Sequence, residues 1–345
     1  MGILPANPGG PVNDGSLVMR VPENHWYPVL ESRELGRRPL GCERLGRRLV
    51  FWRTGDGRPA ALLDRCPHLG AALSCGTVCG DRLACPFHGF EFDGAGRCLH
   101  IPALGRGGTI PKGMAAQSFT LREAHGLVWL WWGAARADYP APPFFPQLAE
   151  GWRYGTVVVE WPVHYSRAIE NQLDVAHLAF VHRTTIGAGG RSFVDGPHVE
   201  ADLRGIRVWV SNARDDGQSP RGAAELAQAA AGKAPALSFL FPGVWLLDIG
   251  PSLQNFIAFV PVNERQTRYY LRAYHRLRNP VAAKLFEALV GLANRYILGQ
   301  DRRVVLTQTP LDSAEAQDKP IAADRAIIEF RRLHARLLAA AETVA

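Results

Sequence analysis

The residues with the clearest capacity for chemistry lie in two short loops that share one pattern. Residues 66–70 read C-P-H-L-G and residues 85–89 read C-P-F-H-G, so each loop offers one thiolate, one imidazole and a closing glycine. Glycine is expected where a backbone turns tightly around something bound between two loop tips. Thiolate and imidazole are transition-metal ligands, so the spacing predicts a metal centre. Its ligands would be Cys66, His68, Cys85 and His88.

Two kinds of metal centre suit these four residues. Zinc accepts the same ligands, but familiar zinc patterns pair Cys with Cys and His with His, whereas each loop here mixes the two. A [2Fe-2S] cluster with two Cys on one iron and two His on the other requires such mixed loops. With sixteen residues between the loops, C-x-H-x16-C-x2-H resembles the Rieske proteins. Respiratory Rieske subunits carry a disulfide at the positions held here by Ala71 and Phe87, which argues against that branch.

A second set of candidate ligands lies in residues 171–182, N-Q-L-D-V-A-H-L-A-F-V-H. Two His from one segment and a distant carboxylate form the triad of non-haem iron oxygenases, which leaves coordination positions open for O2. We expect one helix over residues 166–182, with Asp174 and His177 on a shared face. His177 and His182 are five apart, so the helix should end or widen near His182. A surface helix with two hydrogen-bonded histidines is the alternative interpretation.

Together, the two patterns resemble the large (alpha) subunits of Rieske non-haem iron oxygenases from Trp26 onward. The runs E-N-Q-L-D-V-A-H and F-V-H-R-T-T-I-G are particularly similar to a homotrimeric branch. That branch includes vanillate O-demethylases, dicamba demethylase, toluenesulfonate methyl-monooxygenases and some natural-product hydroxylases. The resemblance implies that His177 and His182 bind iron and that Asp174 bridges toward a Rieske histidine of a neighbouring subunit. It also implies that Asn171 lies near the iron.

The third iron ligand, by the same resemblance, is an acid on the penultimate long helix. Asp301 in Y-I-L-G-Q-D-R-R stands where the family carries this acid. Asp312 is the second choice and Asp248 the third. The alternative interpretation of Asp301 is a solvated helix residue paired with Arg302 or Arg303.

Domain organisation follows from shifts in composition along the 345 residues. Residues 1–20 are rich in Gly, Pro and Asn and are expected to form a flexible arm. Residues 21–139 contain short β-prone runs, predicting an all-β domain that the resemblance identifies as a Rieske [2Fe-2S] domain. Residues 140–151 are a Pro-rich linker. Residues 152–345 predict an antiparallel sheet with long C-terminal helices, an α+β class that the resemblance identifies as a helix-grip catalytic domain with non-haem iron.

Particular elements can be predicted within these domains. Hairpin turns are indicated at residues 54–58 and 93–97, each with two glycines and an aspartate. Residues 215–235 are Gly- and Ala-rich and are expected to form a mobile flap. Further strands are predicted at residues 126–133, 156–161, 206–210, 237–249 and 256–262, and long helices at 280–309 and 324–342.

Charge and cysteine content restrict partners and location. The net charge of +7 comes from arginine, since the chain has only four lysines, and no block of five or six basic residues occurs. Nucleic-acid binding is therefore not expected, although a modest basic surface could receive an acidic electron carrier. The six cysteines show no disulfide spacing, and no apolar run is long enough to span a bilayer, so we predict a cytoplasmic protein that does not bind membranes.

The resulting functional prediction is an oxygenase terminal component. It would use O2 and two externally supplied electrons to hydroxylate or O/N-demethylate a small aromatic or natural-product substrate, as a monooxygenase rather than a dioxygenase. No G-x-G-x-x-G opens a helix, so NAD(P)H would act only through a flavin reductase, with or without a ferredoxin. The alternatives are a Rieske electron-transfer protein without oxygenase activity and a ring dihydroxylating dioxygenase. Candidate pocket walls are Ile186, Phe239, Phe241, Trp245, Phe256 and Leu298.

The mixed Cys/His loops predict a red-brown protein that contains acid-labile sulfide. Iron–sulfur clusters absorb visible light, whereas a zinc site does not, because its d-shell is filled. Absorption spectroscopy with sulfide and metal analysis of the purified chain measures this. A colourless, folded, zinc-loaded protein would refute the cluster assignment.

Overall fold

The computed structural model describes residues 19–342, so nearly all of the predicted arm lies outside the described residues. The chain divides into two compact units, with the boundary between Pro142 and Pro143. No helix among the described residues has both the length and the apolar character that a bilayer span requires.

The first unit consists of three small antiparallel sheets. Their strand orders are β1-β11-β10, β2-β3-β4-β9 and β5-β6-β7-β8. The strands are β1 (His25–Glu31), β2 (Leu40–Arg44), β3 (Arg47–Arg53), β4 (Pro59–Leu63), β5 (Thr77–Cys79), β6 (Arg82–Ala84), β7 (Glu91–Phe92), β8 (Cys98–His100), β9 (Ser118–Phe119), β10 (Leu121–Ala124) and β11 (Leu127–Trp132).

Both predicted hairpins are present in this unit. Residues 54–58 connect β3 to β4, and residues 93–97 connect β7 to β8. The core beneath the β5–β8 sheet contains Trp52, Leu73 and Phe92, which are fully buried. The two Cys/His loops leave this core on either side of β5 and β6, so the sheet holds their ends at a set separation.

The second unit is built on one antiparallel sheet, as the sequence predicted, and this sheet has seven strands. Its strand order is β12-β18-β17-β16-β15-β14-β13. The strands are β12 (Arg153–Trp161), β13 (Phe193–Ala201), β14 (Gly205–Ala213), β15 (Leu237–Leu240), β16 (Val244–Gly250), β17 (Leu253–Asn263) and β18 (Gln266–His275). The helices are α1 (Tyr165–Leu173), α2 (Leu178–Val181), α3 (Ala223–Ala230), α4 (Pro280–Val305) and α5 (Arg325–Glu342).

Helices α4 and α5 cover one face of this sheet, here called the helix face. A Cβ on Gly155 of β12 would lie 2.8 Å from the Cβ of Glu287 on α4, so only glycine permits this close approach. Phe330 of α5 packs edge-on against Phe239, with 5.7 Å between ring centroids. Successive strand residues alternate between faces, so the register determines which side chains point toward the helices.

Two predicted segments differ in their secondary structure from the prediction. The predicted strand 237–249 is the β15–β16 hairpin, because Pro242 and Gly243 interrupt the ladder. The predicted flap 215–235 contains α3.

The prediction of one helix over residues 166–182 was wrong. Helix α1 ends at Leu173, and Asp174 leaves the helical region with φ −68° and ψ 128°. Its Oδ1 accepts hydrogen bonds from the backbone N–H groups of Ala176 and His177. An aspartate side chain can thus replace helical hydrogen bonds with local ones, which ends the helix. Asp174 and His177 therefore do not share a helix face.

Helix α4 begins at a well-formed N-cap that can be tested. The side-chain oxygen of Asn279 accepts hydrogen bonds of 3.0 Å from the N–H groups of Val281 and Ala282. We expect Asn279→Ala to lower the free energy of unfolding by about 1 kcal/mol, because these donors lose their partner. Urea unfolding followed by circular dichroism measures the change. Asn279→Asp, which keeps the acceptor, is the control, and an equal loss in both variants would contradict the assignment.

Candidate active site

The two Cys/His loops have the same backbone hydrogen bonds. The N–H of Cys66 donates to the carbonyl of Ala71 at 2.8 Å, and that of Cys85 donates to Phe90 at 2.8 Å. In each loop the closing glycine, with φ of 78° or 69°, donates back to the cysteine carbonyl. This left-handed backbone suits glycine, as the sequence indicated. The loops are therefore two copies of one turn, each presenting a cysteine and a histidine.

Within the loops the cysteines are buried and the histidines are exposed. The rings of His68 and His88 lie 4.9 Å apart, and Phe90 stacks on His68 at 4.6 Å. Burial raises the pKa of the Cys66 thiol to about 11, and the adjacent Cys85 thiol adds to the rise. Two neighbouring buried thiols ionise together only beside positive charge. This donor set fits an iron–sulfur cluster, with buried thiolates on one side and accessible imidazoles on the other.

The second group of ligands is assembled from two distant parts of the chain. His177 precedes α2, His182 follows it, and Asp301 lies on the buried side of α4. Oδ1 of Asp301 lies 3.5 Å from Nε2 of His177 and 2.9 Å from Nε2 of His182. One ligand atom from each residue lies within 4.8 Å of the others.

The geometry of these three residues suits a divalent cation. Adjacent ligands of a six-coordinate ion with bonds of about 2.1 Å lie about 3 Å apart, close to the two distances measured here. Oδ1 of Asp301 is buried and accepts no hydrogen bond, an arrangement that an ion would satisfy. Two imidazoles and one carboxylate form the donor set of a non-haem iron(II) site.

Gln300 orients one of the imidazoles, and the sequence reasoning missed it. Its Oε1 lies 2.9 Å from Nδ1 of His182 and accepts a 2.8 Å hydrogen bond from the Thr185 hydroxyl. With its proton on Nδ1, His182 directs the Nε2 lone pair toward the Asp301 carboxylate, and an ion would sit between these two groups. The sequence feature that could have indicated this role is a glutamine directly before Asp301, on the buried face of the helix.

Asp174 lies on the opposite side of His177 from Asp301. Its Oδ1 is 3.6 Å from Nδ1 of His177, whereas Asp301 faces Nε2. Burial acts to raise the pKa of Asp174, but the adjacent His177 imidazole and the hydrogen bonds from the backbone amides outweigh it and lower the pKa. Asp174 is thus an ionised carboxylate placed behind an imidazole, outside the three-ligand group.

A cavity of about 210 Å³ adjoins this side of His177. Asn171, Asp174 and His177 contribute to its wall, together with Arg331 of α5. The side-chain nitrogen of Asn171 is buried and has no hydrogen-bond partner. Asn171 therefore accompanies Asp174 on the Nδ1 side of His177.

The second and third choices for the acid ligand lie in other surroundings. Asp312 accepts a hydrogen bond from the hydroxyl of Ser166 and from the N–H of Ala314. Asp248 accepts a 3.4 Å hydrogen bond from Gln254. Neither belongs to the group formed with His177 and His182.

The predicted pocket walls divide between the two faces of the sheet. Phe239 and Trp245 lie on the helix face, because the register aligns them with Ile257 and Ile206. Phe256 lies on the other face, where the Arg272 guanidinium packs over it at 5.9 Å, so its prediction as a pocket wall was wrong. The remaining candidates are mixed: Phe241 stacks on Phe330, Leu298 is buried on α4 and Ile186 is exposed.

Comparisons with known proteins agree with this architecture. Residues 25–119 match the Rieske [2Fe-2S] domain, and residues 161–340, more than half of the chain, match the vanillate O-demethylase oxygenase C-terminal domain. The crystal structure of dicamba monooxygenase bound to 3,6-dichlorosalicylic acid superposes with a TM-score of 0.74 over 94% of this chain and 98% of that one. Its 22% sequence identity makes this a likeness of fold.

Two relatives illustrate the sequence similarity. The oxygenase component of dicamba O-demethylase from Stenotrophomonas maltophilia is 39% identical over 46% of this chain and 47% of its own length. Methylxanthine N1-demethylase NdmA from Pseudomonas putida is 28% identical over 93% of this chain and 90% of its own. The chain spans about half the length of dicamba O-demethylase and of several other curated relatives that it matches. The chain therefore belongs, as its sequence predicted, to the Rieske non-haem iron oxygenases with a vanillate O-demethylase-type catalytic domain.

Proposed function

We propose that the chain is the terminal component of a Rieske monooxygenase that hydroxylates or O/N-demethylates a small aromatic or natural-product substrate. The observation that carries this proposal is the buried, unpartnered Oδ1 of Asp301 beside the Nε2 atoms of His177 and His182. A protein that only transferred electrons through its cluster would not need a second site of this composition.

We assign the cluster to Cys66, His68, Cys85 and His88, and a mononuclear iron(II) to His177, His182 and Asp301. When bound, the iron supplies activation of O2, and the cluster supplies single electrons. The protein's own residues orient and shield this chemistry. Gln300 holds the His182 ring, and the burial of His182 and Asp301 keeps water away from them. One carboxylate and two neutral imidazoles leave net positive charge and open positions at the ion.

Electrons would come from a separate protein. The sequence contains no dinucleotide-binding fingerprint, and two relatives are named as oxygenase components, which implies partner components. A flavin reductase, with or without a ferredoxin, would therefore carry electrons from NAD(P)H to the cluster. A cytoplasmic location stays a prediction from the sequence.

The resemblance implies a homotrimer, and an apolar surface on α4 supports contact with other copies of the chain. Side chains spaced three or four apart line its outer side and are between 58% and 76% exposed: Val281, Leu285, Leu289, Leu292 and Tyr296. Contiguous exposed apolar patches mark interaction sites. An electron carrier must dissociate after each delivery and uses a small interface, so an extended apolar stripe suits a permanent contact with another copy.

The assignment of the third ligand predicts a selective loss of iron. Asp301→Ala should reduce iron from about three to about two atoms per chain and abolish product formation, because the two-iron cluster keeps its own ligands. Metal analysis, the cluster's absorption spectrum and product detection measure these effects. Asp312→Ala is the matched control and should retain the iron. Full iron and activity in Asp301→Ala, with loss of both in Asp312→Ala, would transfer the role to Asp312.

The bridging role proposed for Asp174 predicts that electrons cross between subunits. A head-to-tail contact closes into a ring, so one chain's cluster would serve its neighbour's iron. His88→Ala chains keep the iron site and Asp301→Ala chains keep the cluster, and the two are mixed in equal amounts and co-assembled at random. Half of the positions then hold iron, and half of those have a neighbour with a working cluster. The mixed rings should therefore recover about a quarter of wild-type activity.

Native mass spectrometry verifies mixed assembly, and each variant assembled alone supplies the background activity. Activity of verified mixed rings at that background would show that transfer stays within one chain. Asp174 would then have only its structural role at the end of α1.

A further inference from the structure

Two buried polar side chains on the helix face of the large sheet make no hydrogen bond. They are Trp245 of β16, through Nε1, and Tyr269 of β18, through its hydroxyl. Trp245 is 5% exposed and Tyr269 is fully buried. Buried N–H and O–H groups in native proteins almost always have a partner, so an unpartnered pair needs an explanation such as a ligand.

The strand register puts both side chains on one face. Trp245 is aligned with Ile257, Ile257 with Leu271, and Leu271 with Val157, whose side chain lies 3.5 Å from the Cβ position of Gly291 on α4. Tyr269 is two residues from Leu271 on the same strand, so it points the same way. With strands about 4.8 Å apart, the two Cα atoms are separated by roughly 12 Å, a span that suits one aromatic molecule.

Tyr269 also lies near the proposed metal ligands. It lies on the sheet face that α4, the helix carrying Asp301, covers. Burial and then the charge of the Asp301 carboxylate raise the pKa of the Tyr269 hydroxyl well above the ordinary range. Its ring packs against Trp161 with 4.4 Å between centroids. The Tyr269 hydroxyl therefore borders the region where a substrate would meet the metal.

The charges around this region indicate the class of substrate. The buried arginines of the second unit, among the described residues, are Arg167 and Arg272. Arg167 pairs with Glu170 and Asp318, and Arg272 lies on the opposite face, stacked on Tyr154 at 4.3 Å. Neither is available to neutralise a substrate anion on the helix face. At the Trp245 and Tyr269 end of the substrate, a carboxylate or sulfonate would meet two uncharged donors and no arginine, which disfavours its burial, whereas a neutral oxygen needs only a donor.

We propose that the Trp245 indole N–H and the Tyr269 hydroxyl are specificity-determining donors that each hold one carbonyl or ether oxygen of a neutral aromatic substrate. This inference rests on the proposed oxygenase function and adds the substrate class to it. Binding would satisfy both donors at once, and an anionic analogue of the same shape would be rejected.

The test compares two probes of matched shape by isothermal titration calorimetry with the iron-loaded full chain. 4-Methoxyacetophenone is neutral, and 4-methoxybenzoate replaces its acetyl group with a carboxylate. We expect the ketone to bind at least about tenfold more tightly. Trp245→Phe and Tyr269→Phe should each weaken ketone binding about three- to tenfold, the range of one neutral hydrogen bond.

Control variants remove similar groups from the other face of the sheet. Tyr270→Phe changes the next residue on β18, and Trp209→Phe removes an indole that donates to the carbonyl of Lys233. Both should leave the ketone affinity unchanged. Tyr269→Phe removes only an unpartnered hydroxyl, so its melting temperature should not fall, which separates lost binding from lost folding.

Three results would overturn the inference: no ketone binding at millimolar concentration, carboxylate binding as tight as ketone binding, or unchanged ketone affinity in both Phe variants. The last result would mean that water molecules satisfy the two donors. Iron content is measured on the same samples. A chain without iron at the triad would refute the proposed function itself, whereas a loaded triad with any of these results refutes only the substrate class.

Discussion

The second unit contains a carboxylate oxygen that is buried without a hydrogen-bond partner. An ionised carboxylate loses several kcal/mol when it leaves water unless opposite charge replaces the solvent. Oδ1 of Asp301 lies within 3.5 Å of two imidazole Nε2 atoms but accepts no hydrogen bond. A bound cation resolves this arrangement, because it accepts lone pairs from all three groups. The ligand atoms that α2 and α4 bring together are thus the ones that the proposed chemistry would use.

The hydrogen bonds behind the ligands determine which atoms face that ion. Gln300, which directly precedes Asp301 on α4, contacts Nδ1 of His182. One helix therefore supplies both the acid ligand and the residue that orients an imidazole. Asp174 contacts His177 from the other side and also ends α1. A single side chain therefore determines where the helix stops and how the first histidine is supported. This double role explains why a continuous helix would not have suited the site.

The large sheet separates two kinds of chemistry by strand alternation. Its outer face buries Arg272 against aromatic rings, whereas its helix face presents neutral donors from Trp245 and Tyr269 near the ligands. Tyr269 and Arg272, three residues apart on β18, are thereby kept on opposite sides of the backbone. This separation is the basis for inferring a neutral substrate, even though the chain as a whole is basic.

The sequence by itself determined the features that arise from local interactions. The Cys/His loops were predictable because each turn closes within five residues, and both hairpins because their glycines specify the turn. Helix α4 followed from its periodicity, and the resemblance identified Asp301 on it. Only the tertiary structure decided that Asp301 meets His177 and His182, how Gln300 takes part, and on which face Phe256 lies. These features depend on the packing of distant segments and on strand register, which long-range burial selects and local sequence does not encode.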